Sequence, residues 1–445
     1  MVGAASARNR THCTVNTTPI HHEQPLGPLV VSFWSISLTK QGGAGHNGLI
    51  AFFALGGETM KPIATVVACL LLAFVGTSAT SAATINVPGD QPTIAAAISV
   101  SVNGDVIQID AGTYYESDLN THGRAITISG AVDADGDPTT IVDAQYQETV
   151  FYFTTSETNS TVLRNLTIRN GSYDDGIGNG GGVFISWAAP YFDNCFFVGN
   201  VTDFNGGAVH MSDAYGAQFA GCTFIGNIAG DHGAAISAEG YTWLRLIDCH
   251  FSGNNAVDSG GAIFLDTLEY STTIEGCTIN DNGADSAAGL YAYGSTVILS
   301  DTEFVDNDSA TMAGGAYFLQ GNAYLTGCRF DRNHSGTSGA GLYFYGSYIL
   351  DISDTTFENN HAENSGGGMF CSYYSNASLT NCTFTDNSAL DGAGLASFNG
   401  ARPNLDGCTF TGGSAGDSGG AVYVHSCVLS AANCTFSGNS ATAFG

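Results

Sequence analysis

At 445 residues the chain has room for about three domains of roughly 150 residues each, but its 59 glycines, 40 acidic and 11 basic residues describe a different polymer. An apolar share of 44% and an aromatic share of 11% exclude a disordered chain, and the load of Gly, Asn, Ser and Thr excludes long helices. A net charge of −29 without a basic stripe excludes a protein that tracks nucleic-acid phosphates.

In chain order, residues 1–59 carry His12, His21, His22 and His46 but no apolar period, and read as an unstructured leader or an over-extended start. Met60 and Lys61 then open a positive flank, followed by an apolar run from Ile63 to Val75 and small residues from Thr77 to Ala83. Flank, core and exit in that order have the form of a secretory signal peptide over 60–83. The run falls short of the roughly 20 residues that span a bilayer. The expectation is an exported protein, extracellular or at the cell surface (outer membrane), with no membrane-spanning segment in the mature chain. Cleavage removes two acids and four cations, leaving 38 acidic and 7 basic residues, net −31, without a lysine.

Residues 84–180 form an irregular start. Pro92 to Ile98 predicts a short helix that caps the open end of a stack of strands, hiding edge groups that would recruit another chain. Asn103 to Asp105 is a turn, Val106 to Ile109 a strand, and 125–129, 149–153 and 162–168 read as first coils. Asp133, Asp135 and Asp137 alternate oxygens in a loop that suits a hard cation such as calcium or serves as a polar turn.

From 181 to 445 the chain repeats itself. The segments Asn194–Asn200, Gly221–Asn227 and Asp248–Asn254 share a Cys, a Phe two residues later and a final Asn, and equivalents end at Asn282, Asn307, Asn333, Asn360, Asn387, Gly413 and Asn439. The period is about 27 residues. Each aligned column has a physical role. An apolar column (Phe192, Phe219, Leu246, Ile274, Leu299, Leu325, Ile352, Leu379, Leu405, Ala431) lies three before the Cys, and Asn, Gly or Asp just before the Cys marks a corner. Side chains alternate along a strand, so Cys and Phe both point inward. The final Asn is expected at the next corner, in left-handed geometry, stacking as an amide ladder. A further strand follows Gly-rich entries such as Gly206–Val209, Gly260–Ile263, Gly314–Tyr317, Gly366–Met369 and Gly419–Val422.

Three short strands per coil, each coil stacking on the last, predict an all-β parallel β-helix, a single-stranded solenoid with a short N-terminal capping helix. Ten regular coils at about 4.8 Å each make a rod of roughly 48 Å, to which the irregular start adds three or four. The chain stops six residues after Asn439, which suggests an uncapped end and a missing C-terminal module.

The alternation of Phe-x-x-Asn with Gly-Gly-Ala-(Val/Ile/Leu), as at Gly260–Ile263 and then Ile279–Asn282, resembles the polymorphic outer-membrane protein family of autotransporter adhesins over about residues 180–445. That resemblance implies a surface-exposed adhesive β-helix. The start, Thr93–Ile98 through Asn103–Asp105 to Asp110–Tyr114, is similar to the N-terminal cap and first strand of pectin-lyase-like proteins. Right-handedness follows from these resemblances and the crossover rule.

Eight cysteines share one column: Cys195, Cys222, Cys249, Cys277, Cys328, Cys382, Cys408 and Cys434. In-register neighbours keep Cβ atoms about 4.8 Å apart and parallel, whereas a disulfide needs about 3.8 Å and converging vectors; a free-thiol ladder is expected. Thr302 and Thr355 fill the column in two coils. After the glycines, the residue following each inward apolar one faces out, giving His210, Ser237, Phe264, Tyr291, Phe318, Tyr343, Phe370, Ala396 and Tyr423, with Tyr293, Tyr345 and Phe398 two residues further. Such a stripe is a candidate binding face for a surface glycan or protein ligand, or a ladder that only stabilises the sheet. An enzyme would instead gather carboxylates with an Arg or His in one groove; Asp174–Asp175 and Asp231–His232 are the sequence's candidates. The leading reading is a secreted or cell-surface binding protein without catalysis or cofactor. A polysaccharide lyase or hydrolase and a structural stalk are its alternatives.

Overall fold

The computed structural model describes residues 82–173, 178–346 and 349–444, together with Pro19–Ile20 and Phe33–Trp34. The chain forms two units, Met1–Thr80 and Ser81–Gly445. In the first, Pro19–Ile20 pairs antiparallel with Phe33–Trp34. Most of the expected signal segment and the Asp174–Asp175 pair lie outside the described residues.

One coil of the second unit shows how sequence becomes geometry. The strand Tyr215–Ala220 ends at Gly221, whose φ of 57° turns the chain into Thr223–Ile225. Gly226, at φ 60°, turns it again into Asn227 and the two-residue strand Ile228–Ala229, and Ile236–Glu239 completes the circuit. Corners of this kind select Gly, Asn and Asp because other side chains clash with the left-handed backbone. The expected corner before each Cys is present, as at Asn194 (φ 49°) and Asp248 (φ 50°).

The second corner differs from expectation. Its left-handed residue is the one before the ladder Asn, for example Gly199, Asp281 or Asp306, and the Asn points inward. The reason is hydrogen bonding: buried Asn227 donates Nδ2 to the Phe197 carbonyl and to Asn254 Oδ1, 3.0 and 2.9 Å. Only an inward amide reaches both.

Equivalent strands stack in register into four parallel sheets of 14, 13, 11 and 12 strands, giving a solenoid of about 12 coils. Three were predicted. The extra sheet is built from strands such as Ile228–Ala229 and Asn255–Ala256, too short to show the alternation by which a strand is read from sequence. The irregular start joins the same sheets. Its expected coil segment 162–168 comprises two strands, Val162–Arg164 and Leu166–Arg169, bent at Asn165 (φ 57°).

The predicted capping helix is present as α1, Ile94–Val100. Thr93 Oγ1 accepts from Ala96 N, while the Glu116 carboxylate accepts from Ile94 N and Ala95 N at 2.8 and 2.9 Å. These bonds satisfy donors that a helix start leaves without intrahelical partners. Ile94, Ala97 and Ile98 face the core.

The core is a set of vertical stacks. Phe197, Phe224 and Phe251 lie 4.6 Å apart and almost parallel, and the stack resumes after Ile279 from Phe304 to Phe436. Phe436, in the last coil, is 48% exposed where its counterparts are buried. Beside the phenylalanines runs the cysteine column, buried from Cys195 to Cys408 and free of disulfides. Each column thiol can donate to the carbonyl two residues before it, as Cys249 does to Ile247 at 3.3 Å. Thr302 and Thr355 make the same bond through their hydroxyls at 2.9 Å. The position therefore selects a small side chain with a donor, which both residue types supply. Burial pushes the Cys222 thiol well up, Cys328 to about 11 and Cys371 to about 12, so these groups stay protonated and inert.

Candidate functional site

The predicted aromatic stripe runs along the outer face of the twelve-stranded sheet. Its register is Phe264, Tyr291, Tyr317, Tyr343, Phe370, Ala396, Tyr423. Phe318 is a correction: it points into the core, fully buried, and Tyr317 takes its place outside. In that coil Ala316, rather than a larger apolar residue, occupies the first inward slot, opposite Leu290 and Leu342. Counting from the glycine pair therefore displaces the reading by one residue, which on a strand exchanges the faces.

The stripe is mostly covered. Tyr317, Tyr343 and Phe370 are only 6, 8 and 9% exposed, and they pack with Ala287, Ala313 and Ala396. Tyr291, Tyr345, Met312 and Phe398 close the edges of this second, outer core. Ring contacts run from His232 through Phe264, Tyr291, Tyr317, Tyr343 and Phe370 to Phe398 at 4.3–5.3 Å, stacked except at Tyr317, whose contacts with Tyr291 and Tyr343 are edge-on. Burial pushes the Tyr343 phenol up to about 12 and Tyr317 higher still. Of the other predicted positions, Tyr293 and Tyr423 are half-buried. A closed ladder of this kind stabilises the sheet and offers a ligand little free ring surface.

Exposed aromatics gather one turn further along the coil, where the chain passes from the twelve- to the fourteen-stranded sheet. Trp187, Tyr241 and Tyr270 lie in this turn and Tyr215 opens the strand that follows it, one residue in each of four successive coils, and they are 53, 53, 50 and 50% exposed. Trp187 and Tyr215 lie 5.5 Å apart, tilted at 59°. With Trp243, Ala188, Ala189, Gly216 and Gln218 they line a pocket of about 450 Å³.

Two features build this pocket locally. A bulge between Tyr215 and Ala217 breaks the register with the next coil, and bulges commonly re-aim a side chain. Gly216, at φ 119°, lets the Trp243 ring lie against the backbone, since a Cβ there would sit 2.8 Å from the ring. Buried Glu157 braces the opposite wall: its carboxylate accepts from Thr121 Oγ1, Gly123 N and Thr155 N at 2.7–3.0 Å. The turns vary in length between coils, so column alignment passes over them. The available signal was composition, because Trp187 and Trp243 are two of only three tryptophans in the chain.

A larger groove of about 860 Å³ runs beside the eleven-stranded sheet, lined among others by Asp281, Asp285, Asp306, Asp308 and His334. Asp306 is held by Arg332 through two bonds of 2.8 Å, and Asp308 by His334 Nδ1 at 2.6 Å. The catalytic candidate Asp231–His232 is not assembled: His232 stacks on Phe264 at 4.3 Å, inside the aromatic ladder.

The loop of Asp133, Asp135 and Asp137 is exposed, and its carboxylates do not converge. Asp133 Oδ1 instead accepts from Asp135 N and Asp137 N at 2.9 and 3.0 Å, closing the loop on itself. Among the described residues, three candidate metal-ligand atoms come within 4.8 Å of one another at His334, His361 and Glu363, a group absent from the sequence reading. No described helix is long and apolar enough to cross a membrane.

A family model described as "right handed beta helix region" matches residues 261–441. No curated protein matches the chain. Among solved structures, an endo-xylogalacturonan hydrolase from Aspergillus tubingensis aligns over 77% of this chain and 87% of its own, with 12% identity and a TM-score of 0.28. Sheets in parallel register and the matched region together make the described repeat a right-handed parallel β-helix.

Proposed function

We propose that the protein is an exported, non-catalytic binding protein that recognises a neutral carbohydrate in the pocket of Trp187, Tyr215 and Trp243. The observation that carries this reading is a pair of half-exposed, uncharged rings 5.5 Å apart at the mouth of a formed pocket. Tryptophan and tyrosine supply rigid, flat contact area at small entropic cost, and sugar rings present matching apolar faces. Gln218 and Asn159 at the wall provide amides for hydroxyl groups. The net charge of −29 disfavours polyanionic ligands. Export rests on the signal-peptide form of residues 60–83, and a surface role on the resemblance of the repeats to adhesin passengers.

The test is tryptophan fluorescence and calorimetry with neutral gluco-, xylo- and manno-oligosaccharides, with an oligogalacturonide as the anionic control. Saturable binding weakened at least about tenfold by Trp187→Ala and by Tyr215→Ala supports the reading; binding to none of them, or binding insensitive to both substitutions, sinks it. A second reading, a polysaccharide hydrolase, is favoured by the gathering of Asp281, Asp285, Asp306 and Asp308 in the larger groove. Release of reducing ends that Asp281→Asn and Asp285→Asn abolish would replace the first reading with this one.

A further inference from the structure

We propose that His334, His361 and Glu363 form a zinc-type site that pins two adjacent coils. His334 and His361 are direct partners in the eleven-stranded sheet, each following a ladder Asn, and Glu363 turns back beside them. His334 Nε2 and His361 Nε2 lie 3.8 and 3.5 Å from the same oxygen, Glu363 Oε1. These separations are long for hydrogen bonds. They are close to the spacing of about 3.4 Å that tetrahedral ligands take around an ion about 2.0–2.1 Å from each.

The opposite side of each ring is already engaged. His334 Nδ1 meets Asp308 Oδ1 at 2.6 Å, and His361 Nδ1 meets Ser388 Oγ at 2.8 Å. In the neutral His334 ring the carboxylate accepts, so Nδ1 carries the proton and Nε2 directs its lone pair toward Glu363. A carboxylate behind a ligating imidazole is the arrangement that fixes its tautomer and raises its basicity. Asp308, His334, His361 and Ser388 are one register column over four coils. The outer partners and the ligands are therefore placed by the same stacking that builds the fold. Two imidazoles and one carboxylate suit Zn²⁺ and its analogue Co²⁺ better than calcium, which prefers six to eight oxygens. The fourth position opens to solvent and takes water.

The test uses the full-length chain, stripped with chelator and titrated with Co²⁺ while visible absorption is recorded. One saturable equivalent with tetrahedral absorption, displaced by Zn²⁺ and lost in the His334→Ala/His361→Ala double variant, is expected. Asp308→Asn, which removes an outer partner and no ligand, is expected to weaken binding at least about tenfold. Zn²⁺ should also raise the thermal unfolding midpoint of the parent and leave that of the double variant unchanged. Circular dichroism of the metal-free double variant checks that it is folded. No saturable binding, or binding that survives in the folded double variant through the N-terminal histidines or the thiols, overturns the proposal.

Discussion

Replacing Asn307 by Ala tests whether the amide ladder holds the coils together or only tolerates their spacing. The Asn307 amide donates to the Ile279 carbonyl at 2.8 Å and to Asn333 Oδ1 at 3.0 Å. Its own oxygen accepts from Asn282 N at 3.2 Å and Asn282 Nδ2 at 3.0 Å. The residue is fully buried, so no water replaces these partners. Four bonds at about 1 kcal/mol net each give about 4 kcal/mol, and the orphaned Asn282 donors keep the loss from being smaller. Because coils interact mainly with neighbours, the loss should concentrate near the substitution. Native-state hydrogen exchange should show amides of the flanking coils opening more readily by about that amount, alongside a lower urea midpoint. A local loss below about 1 kcal/mol would refute the ladder's energetic role. The ladder has one natural gap at Gly413, where a Cβ would sit 2.2 Å from the Gly420 carbonyl oxygen. Gly413→Asn should accordingly destabilise the protein rather than complete the ladder.

In the native state a thiol reagent should modify Cys427 and Cys434 quickly among the described cysteines, because these two are partly exposed and the other eight are buried; fast labelling of Cys222 or Cys249 would contradict the packed column. Tyr343 ionises at about 12 when folded against about 10 in a free phenol. Its contribution, on the order of 2–3 kcal/mol, is present below pH 10 and lost between pH 10 and 12, because the unfolded chain releases the proton first. Equilibrium unfolding across that range should weaken less in Tyr343→Phe than in the parent. Tyr343→Ala should cost about 3 kcal/mol through lost packing and leave carbohydrate affinity unchanged; a loss of affinity without a loss of stability would return the binding role to the stripe.

Much of the fold is legible because each coil restates the same constraints. Cys, Phe and Asn recur at fixed spacing, and the inward placement of Cys222, Phe224 and their equivalents follows from alternation alone. The candidate site was far less legible. Trp187 and Tyr270 sit in turns of unequal length, and Tyr215 and Trp243 open strands just beyond those turns, outside the repeating inward columns. His334 and His361 were visible as residues after successive ladder asparagines, but their meaning depends on Glu363 folding back and on Asp308 standing one coil away.

The sequence by itself determined the period, the inward columns, the capping helix and the free-thiol ladder, because these depend on local alternation, on corners that only a few residues tolerate, and on neighbours repeating about 27 residues apart. The tertiary structure decided which outward residues remain outward. Tyr317, Tyr343 and Phe370 pack into an outer core with Ala287 and Ala313, while a bulge at Gly216 leaves Tyr215 at the surface. A strand's pattern says which face a side chain takes, and only the packing of the turns beside it decides whether that face meets water.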